Sequence, residues 1–196
     1  ILHNEEFQKL ESAWRGLKFL VDRTNFRENV KIDVLDVSKQ SLLADFEDAP
    51  EITKSGLYKQ VYTNEYGQFG GQPYSAMIAN YEFDNSPQDM SLLQSAASVA
   101  TMAHAPFLAA ANEKFFGIQS FEELPALKDL RDVFEGVQYT KWRPLRQFED
   151  ARSIGLTLPR FLLRRPYGQA TIPARSFDYA QHDTAGATHF LRGTVT

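Results

Sequence analysis

The chain has 196 residues, 43% of them apolar and 23% charged, a length and balance that suit one globular domain with a real core and exclude a largely disordered chain. Its net charge of −4 and pI of about 5.6 argue against a general nucleic-acid binder. No run of residues approaches the roughly 18–20 apolar positions needed for membrane insertion, and the absence of cysteine removes disulfides, thiolate metal sites and cysteine nucleophiles together.

The aromatic content, 15 Phe and 8 Tyr, is high enough to fill a core and leave aromatic surface for a partner. Charge is unevenly spread. Lys141, Arg143, Arg146, Arg152, Arg160, Arg164 and Arg165 face only Glu149 and Asp150 within their stretch, whereas Asp45, Glu47, Asp48 and Glu51 form an acidic cluster. Complementary faces of this kind suit self-assembly, and two ordinary solvated surfaces suit the pattern equally well. The start, "ILHNEEFQKL", has neither an initiator Met nor the basic and apolar regions of a secretory leader, and the end, "HFLRGTVT", reads as strand. A cytoplasmic fragment of a longer protein is expected.

In "EEFQKLESAWRGLKFLVDR" the residues Phe7, Leu10, Trp14, Leu17 and Val21 recur at steps of three and four, which predicts a helix. Asn4 is its N-cap, Glu5 and Glu6 suit its first turn, and Gly16 suggests a close helix crossing. "NVKIDVLDVS" alternates, with Val30, Ile32 and Val34 on one face, and predicts a half-buried strand. Ser38 caps a short helix through Phe46, and "EITKSGLYKQVYTNEY" predicts another that ends at the glycines of "EYGQFGGQPY". "YSAMIANYEFD" is apolar on both faces at its centre and predicts an interior strand.

"SPQDMSLLQSAASVATMAH" carries the start signals of a helix: Ser86 at the cap, Pro87 at the first position and Asp89 three beyond, a capping box. With "APFLAAA" as the next strand, residues 75–111 form a strand–helix–strand unit with a parallel pair. Short helices broken at Pro125, Gly136 and Pro144 follow, then a strand in "SIGLTLPRFLLRRPYG" that reaches an edge or ends at Pro159. After Gly168 the pattern is loop until near His189. The fold class is therefore mixed α/β, a partly parallel sheet flanked by helices in a single domain that is part of a larger subunit. The domain covers residues 1–180, with 181–196 as a tail.

No catalytic constellation emerges. Gly67, Gly70 and Gly71 follow a helix and lead into a strand, the reverse of the order in which a helix N-terminus meets phosphate, so they read as a tight structural corner. His104, ending an apolar helix, reads as a residue that bonds a backbone carbonyl or complements the helix C-terminus. His182 and His189, seven apart, have no zinc spacing, and no Gly-x-Ser-x-Gly accompanies Ser75, Ser95 or Ser98. The acidic pairs Glu122–Glu123 and Glu149–Asp150 read as solvated helix faces. Arg160, Arg164 and Arg165 read either as contacts to a neighbouring subunit or as arginines lying over an apolar strand, with 160 and 164 on one face and 165 on the other.

Three stretches together resemble one family: residues 5–51, "EYGQFGGQPYSAMIANYEFD" with the later "HAPFLAAA", and "DARSIGLTLPRFLLRRPYG". They are similar to the large sheath subunit of the bacterial type VI secretion system, the TssC/VipB family, over roughly residues 3–179 in unbroken order. The resemblance implies a structural protein, not an enzyme, with no cofactor and no metal. Such a subunit pairs with a small sheath subunit, TssB, and with other copies of itself. It polymerises around a tube of Hcp hexamers, which contraction propels. The ATPase ClpV and baseplate proteins are further candidate contacts; nucleic acid and membrane insertion are not implied. The family's chain is longer at both ends, and the tail "THFLRGTVT" departs from its pattern at Arg192 and Thr194. The alternative class is a small α/β hydrolase or nucleotide-binding enzyme domain, which needs a deep pocket with convergent polar groups.

Overall fold

A computed structural model describes residues 2–158, 160–168, 172–173 and 179–181, and the backbone of 191–193. The chain divides into two compact units: one spans 35–158, and the other combines 1–34 with 159–195. The fold class is as expected, mixed helix and strand with a parallel sheet.

The larger unit is built on a three-stranded parallel sheet. Strands β1 (Met77–Phe83), β2 (Phe107–Ala111) and β3 (Ile154–Thr157) lie in that order, with Met77 opposite Phe107 and Phe107 opposite Ile154. The predicted strand–helix–strand unit is present, its helix α4 running Pro87–Ala103. The interior-strand reading of β1 is corrected: β2 takes the centre, and β1 is an edge of the described sheet. Ala79 and Phe83 are buried while Ile78 stands exposed, so only one face of β1 meets the core.

Helix α4 supplies most of that core. Leu92, Leu93, Ala96, Val99, Ala100 and Ala103 are almost wholly buried, with Phe83, Phe107, Ala109 and Ala111 of the sheet in the same cluster. Alanines at the contact let backbones approach closely, and the two leucines each contribute about 1.5–3 kcal/mol of burial. Ser86 Oγ accepts from the Asp89 N–H at 3.3 Å, but the reciprocal half of the box goes elsewhere. Asp89 accepts from the Asp84 N–H at 2.7 Å and from Lys39 Nζ at 2.6 Å, and Lys39 also donates to the Glu82 carbonyl. Lys39 opens α2 (Lys39–Asp48), so one ammonium ties α2 to the end of β1 and the start of α4.

A 3-10 turn (Ile52–Lys54) leads to α3 (Gly56–Tyr58), which passes directly into a π-helix, Lys59–Tyr66. Two short helices, α5 (Leu130–Glu135) and α6 (Trp142–Gln147), fall between β2 and β3. The strand expected at residues 30–34 is not formed: residues 30–38 take no regular structure, and Val34 is 69% exposed. A strand needs a ladder of backbone bonds to a neighbouring strand, and residues 30–34 enter neither described sheet.

The smaller unit holds α1 (Glu5–Arg23) and an antiparallel pair, β4 (Phe161–Arg164) with β5 (Leu191–Gly193). Asn4 caps α1 by accepting from the Phe7 N–H at 3.0 Å, as expected. The stretch 153–168, expected as a strand that reaches an edge or ends at Pro159, forms two strands in two sheets, with β3 ending at Thr157 and β4 starting at Phe161; Pro159 lies outside the described residues. His182 and His189 also lie outside them.

Candidate assembly surfaces

Helix α1 is amphipathic in an inverted sense. Of its apolar residues, spaced 3-4-3-4 from Phe7 to Val21, four face outward and Leu17 is half-buried: Leu10 is 57% and Trp14 65% exposed, and no residue of the helix is fully buried. The face turned to the β4–β5 pair is polar. Glu11 accepts from Arg15 Nε at 2.7 Å and from Arg164 Nε at 2.7 Å, and the Arg15 guanidinium reaches the Tyr167 hydroxyl at 3.1 Å. Phe19 adds an aromatic contact with Phe161, ring centres 5.2 Å apart. Gly16 is no crossing point, since a Cβ there would meet nothing within 4 Å.

Arg164 is the hub of that polar interior, its side chain 2% exposed. Nε and Nη2 hold both Glu11 oxygens at 2.7 and 3.2 Å, while Nη1 donates to Gln181 Oε1 at 2.8 Å and the Arg165 carbonyl at 3.0 Å. The guanidinium also lies 4.2 Å from the centre of the Tyr167 ring, a cation–π contact. Burial pushes the Glu11 carboxyl up, but the hydrogen bonds and charges of Arg164 and Arg15 outweigh it and hold it below the ordinary value. Arg164 and Arg165 turn opposite ways, the first buried and the second exposed, and Arg160 is half-buried. Of the three arginines only Arg164 lies within β4, and its partner Glu11, 153 positions away, was not legible in sequence.

The glycine turn sits between the π-helix and β1. Tyr58, Tyr62 and Tyr66 stack along the helix at 4.9 and 5.1 Å, and Tyr66 continues onto His104 at 5.6 Å. His104 itself takes a left-handed conformation at the end of α4, its N–H on the Ala100 and Thr101 carbonyls. Gly67 donates to the Tyr62 carbonyl at 2.7 Å, and Gly71 donates to Gln68 at 3.2 Å. Gly70 has φ +83°, and a Cβ at Gly71 would fall on the Glu65 carbonyl, 2.8 Å from its carbon. Phe69, carried between these glycines, is fully exposed.

Elsewhere polar groups serve the fold. Burial raises the Asp89 carboxyl above its ordinary value in spite of the Lys39 ammonium, and Ser98 and Asp150, close in space at 2.9 Å, join α4 to the turn before β3. No group of three or more metal-ligating side chains occurs among the described residues, and no described helix is long and apolar enough to cross a membrane.

Surface features mark this molecule: an outward apolar stripe on α1 and an exposed phenylalanine on a tight turn. The chain is 44% identical over 189 residues to the type VI secretion system sheath protein TssC1 of Pseudomonas aeruginosa, an alignment that covers 95% of this chain and 38% of that protein. It thus spans well under half the length of that curated relative. The model of the VipB family, described as EvpB/VC_A0108, tail sheath N-terminal domain, matches residues 1–195, and the chain belongs to that family.

Proposed function

We propose that this chain is part of a large sheath subunit of a type VI secretion system. The subunit pairs with a small sheath subunit (TssB) in the cytoplasm and polymerises with its own copies around the Hcp tube. The observation that carries this reading is the inverted helix α1, whose 3-4 spaced apolar face is directed outward while a buried ion pair occupies its inner face. An isolated domain loses hydrophobic stabilisation by leaving such a face in water, whereas a subunit of an assembly recovers it on contact. The work on this reading is mechanical: contraction exchanges one packing of subunits for another and needs contact surfaces rather than a catalytic centre. On this reading the exposed Arg165 and the half-buried Arg160 contact a neighbouring subunit, while Arg164 is committed to Glu11. Gly67, Gly70 and Gly71 serve as the corner that fixes the direction of β1. Co-expression of the full-length gene with its small-subunit neighbour tests the reading: helical tubules by electron microscopy are expected, and well-folded soluble monomers would overturn it.

A further inference from the structure

In the larger unit, Arg131, Arg143 and Arg146 surround an open pocket of about 430 Å³ whose other walls are Phe134, Glu135 and Trp142. None of the three guanidinium groups makes an ion pair among the described residues. Behind the pocket the aromatic rings are packed firmly, Trp142 against Phe115 at 4.9 Å and Phe134 against Tyr139 at 5.2 Å. Three cations on a rigid aromatic wall, with one carboxylate beside them, form a site for an acidic segment, because guanidinium groups bind carboxylates bidentately.

The same unit carries such a segment. Glu47 and Asp48 occupy the last turn of α2, with Glu51 following; all three are exposed, and that turn holds no basic residue. Negative charge is disfavoured at a helix C-terminus, as positive charge is in the first turns where Arg131 and Arg143 stand. Each patch is therefore locally unfavourable and relieved by the other. We infer that Glu47, Asp48 and Glu51 of one copy of this chain dock into the pocket formed by Arg131, Arg143, Arg146 and Trp142 of a second copy. The two patches are different surfaces, so the contact is head-to-tail and propagates along a row of copies. This inference rests on the proposed sheath role but concerns one contact within it.

The test uses the full-length protein with its small subunit. The Arg143→Glu/Arg146→Glu and Glu47→Arg/Asp48→Arg variants should each lower tubule yield at least tenfold, with circular dichroism and thermal unfolding unchanged, and the four changes together should restore it. Full assembly of either pair variant overturns the contact. So does failure of the combined variant to recover while folded, or loss of assembly from the arginine changes alone, which would assign the pocket to another protein's acidic segment. A second readout does not depend on tubules. The 196 residues hold no cysteine, so in a full-length background with any other cysteine replaced, Glu47→Cys/Arg146→Cys should give a ladder of disulfide-linked multimers on oxidation. Monomer alone overturns the inference, even where the wild type fails to form tubules and the sheath role itself falls.

Discussion

Removing the Arg164 guanidinium should be among the costliest single changes in the smaller unit. The group is 2% exposed and makes four hydrogen bonds, two of them to a Glu11 side chain that is only 12% exposed. Breaking one partner of a buried pair costs about 3–5 kcal/mol, because the other charge stays buried. Glu11 retains Arg15 at 2.7 Å, so Arg164→Met should fall near the lower bound, about 3 kcal/mol, with Glu11→Gln at about 2 kcal/mol by charge-assisted bond values. Glu11→Leu combined with Arg164→Met should cost much less than the two single changes summed, since an apolar pair of similar volume removes both stranded charges. Urea unfolding gives the numbers. The two tryptophans, Trp14 and Trp142, lie in different units, so Trp14 fluorescence in a Trp142→Phe background reports the unit concerned. The pH dependence follows from the sign of the Glu11 shift. A carboxyl held below its unfolded value near 4.5 contributes stability that is fully present above that value and lost as pH falls through the lower folded one. The gap between wild type and Glu11→Gln should therefore be constant from pH 7 to 5 and close below about pH 4. An Arg164→Met variant within 0.5 kcal/mol of wild type, or strict additivity of the pair, would refute the reasoning.

At the glycine turn, Gly71→Ala should cost at least about 2 kcal/mol, since its Cβ meets backbone that cannot move aside. Gly70→Ala should cost about 1 kcal/mol for its positive φ alone, and the reverse order of urea midpoints would contradict the geometry. Gly16→Ala on α1, where the new methyl meets open space, should raise stability by up to about 1 kcal/mol, measured as an increase in the same midpoint. Leu10→Glu with Trp14→Glu should leave the unfolding of the chain within about 0.5 kcal/mol of wild type, because both side chains are exposed, yet abolish tubule formation by the full-length protein. A strong loss of stability instead would place that stripe in the core.

Local chemistry wrote much of this protein plainly. Asn4, Ser38 and Ser86 cap the helices they were expected to cap, because a cap needs only a side-chain oxygen within three residues of the orphan N–H groups. The parallel pairing of β1 and β2 followed from the helix read between them. Other features depend on partners that local pattern does not name. The alternation at 30–34 is that of a strand, yet a strand needs pairing across a sheet, and these residues enter neither described sheet. The stripe on α1 was legible as a stripe, but periodicity says only that one face is apolar, not which face the rest of the chain will cover. That was decided by Arg164 and Glu11, 153 residues apart, whose ion pair turned the polar face inward. The gathering of Arg131, Arg143 and Arg146 around Trp142 is likewise a product of how α5 and α6 pack. Sequence determined the main helices, their caps and the family; tertiary structure decided which strands paired and which surfaces were left to be met by others, because pairing and burial are properties of the whole chain and not of any segment.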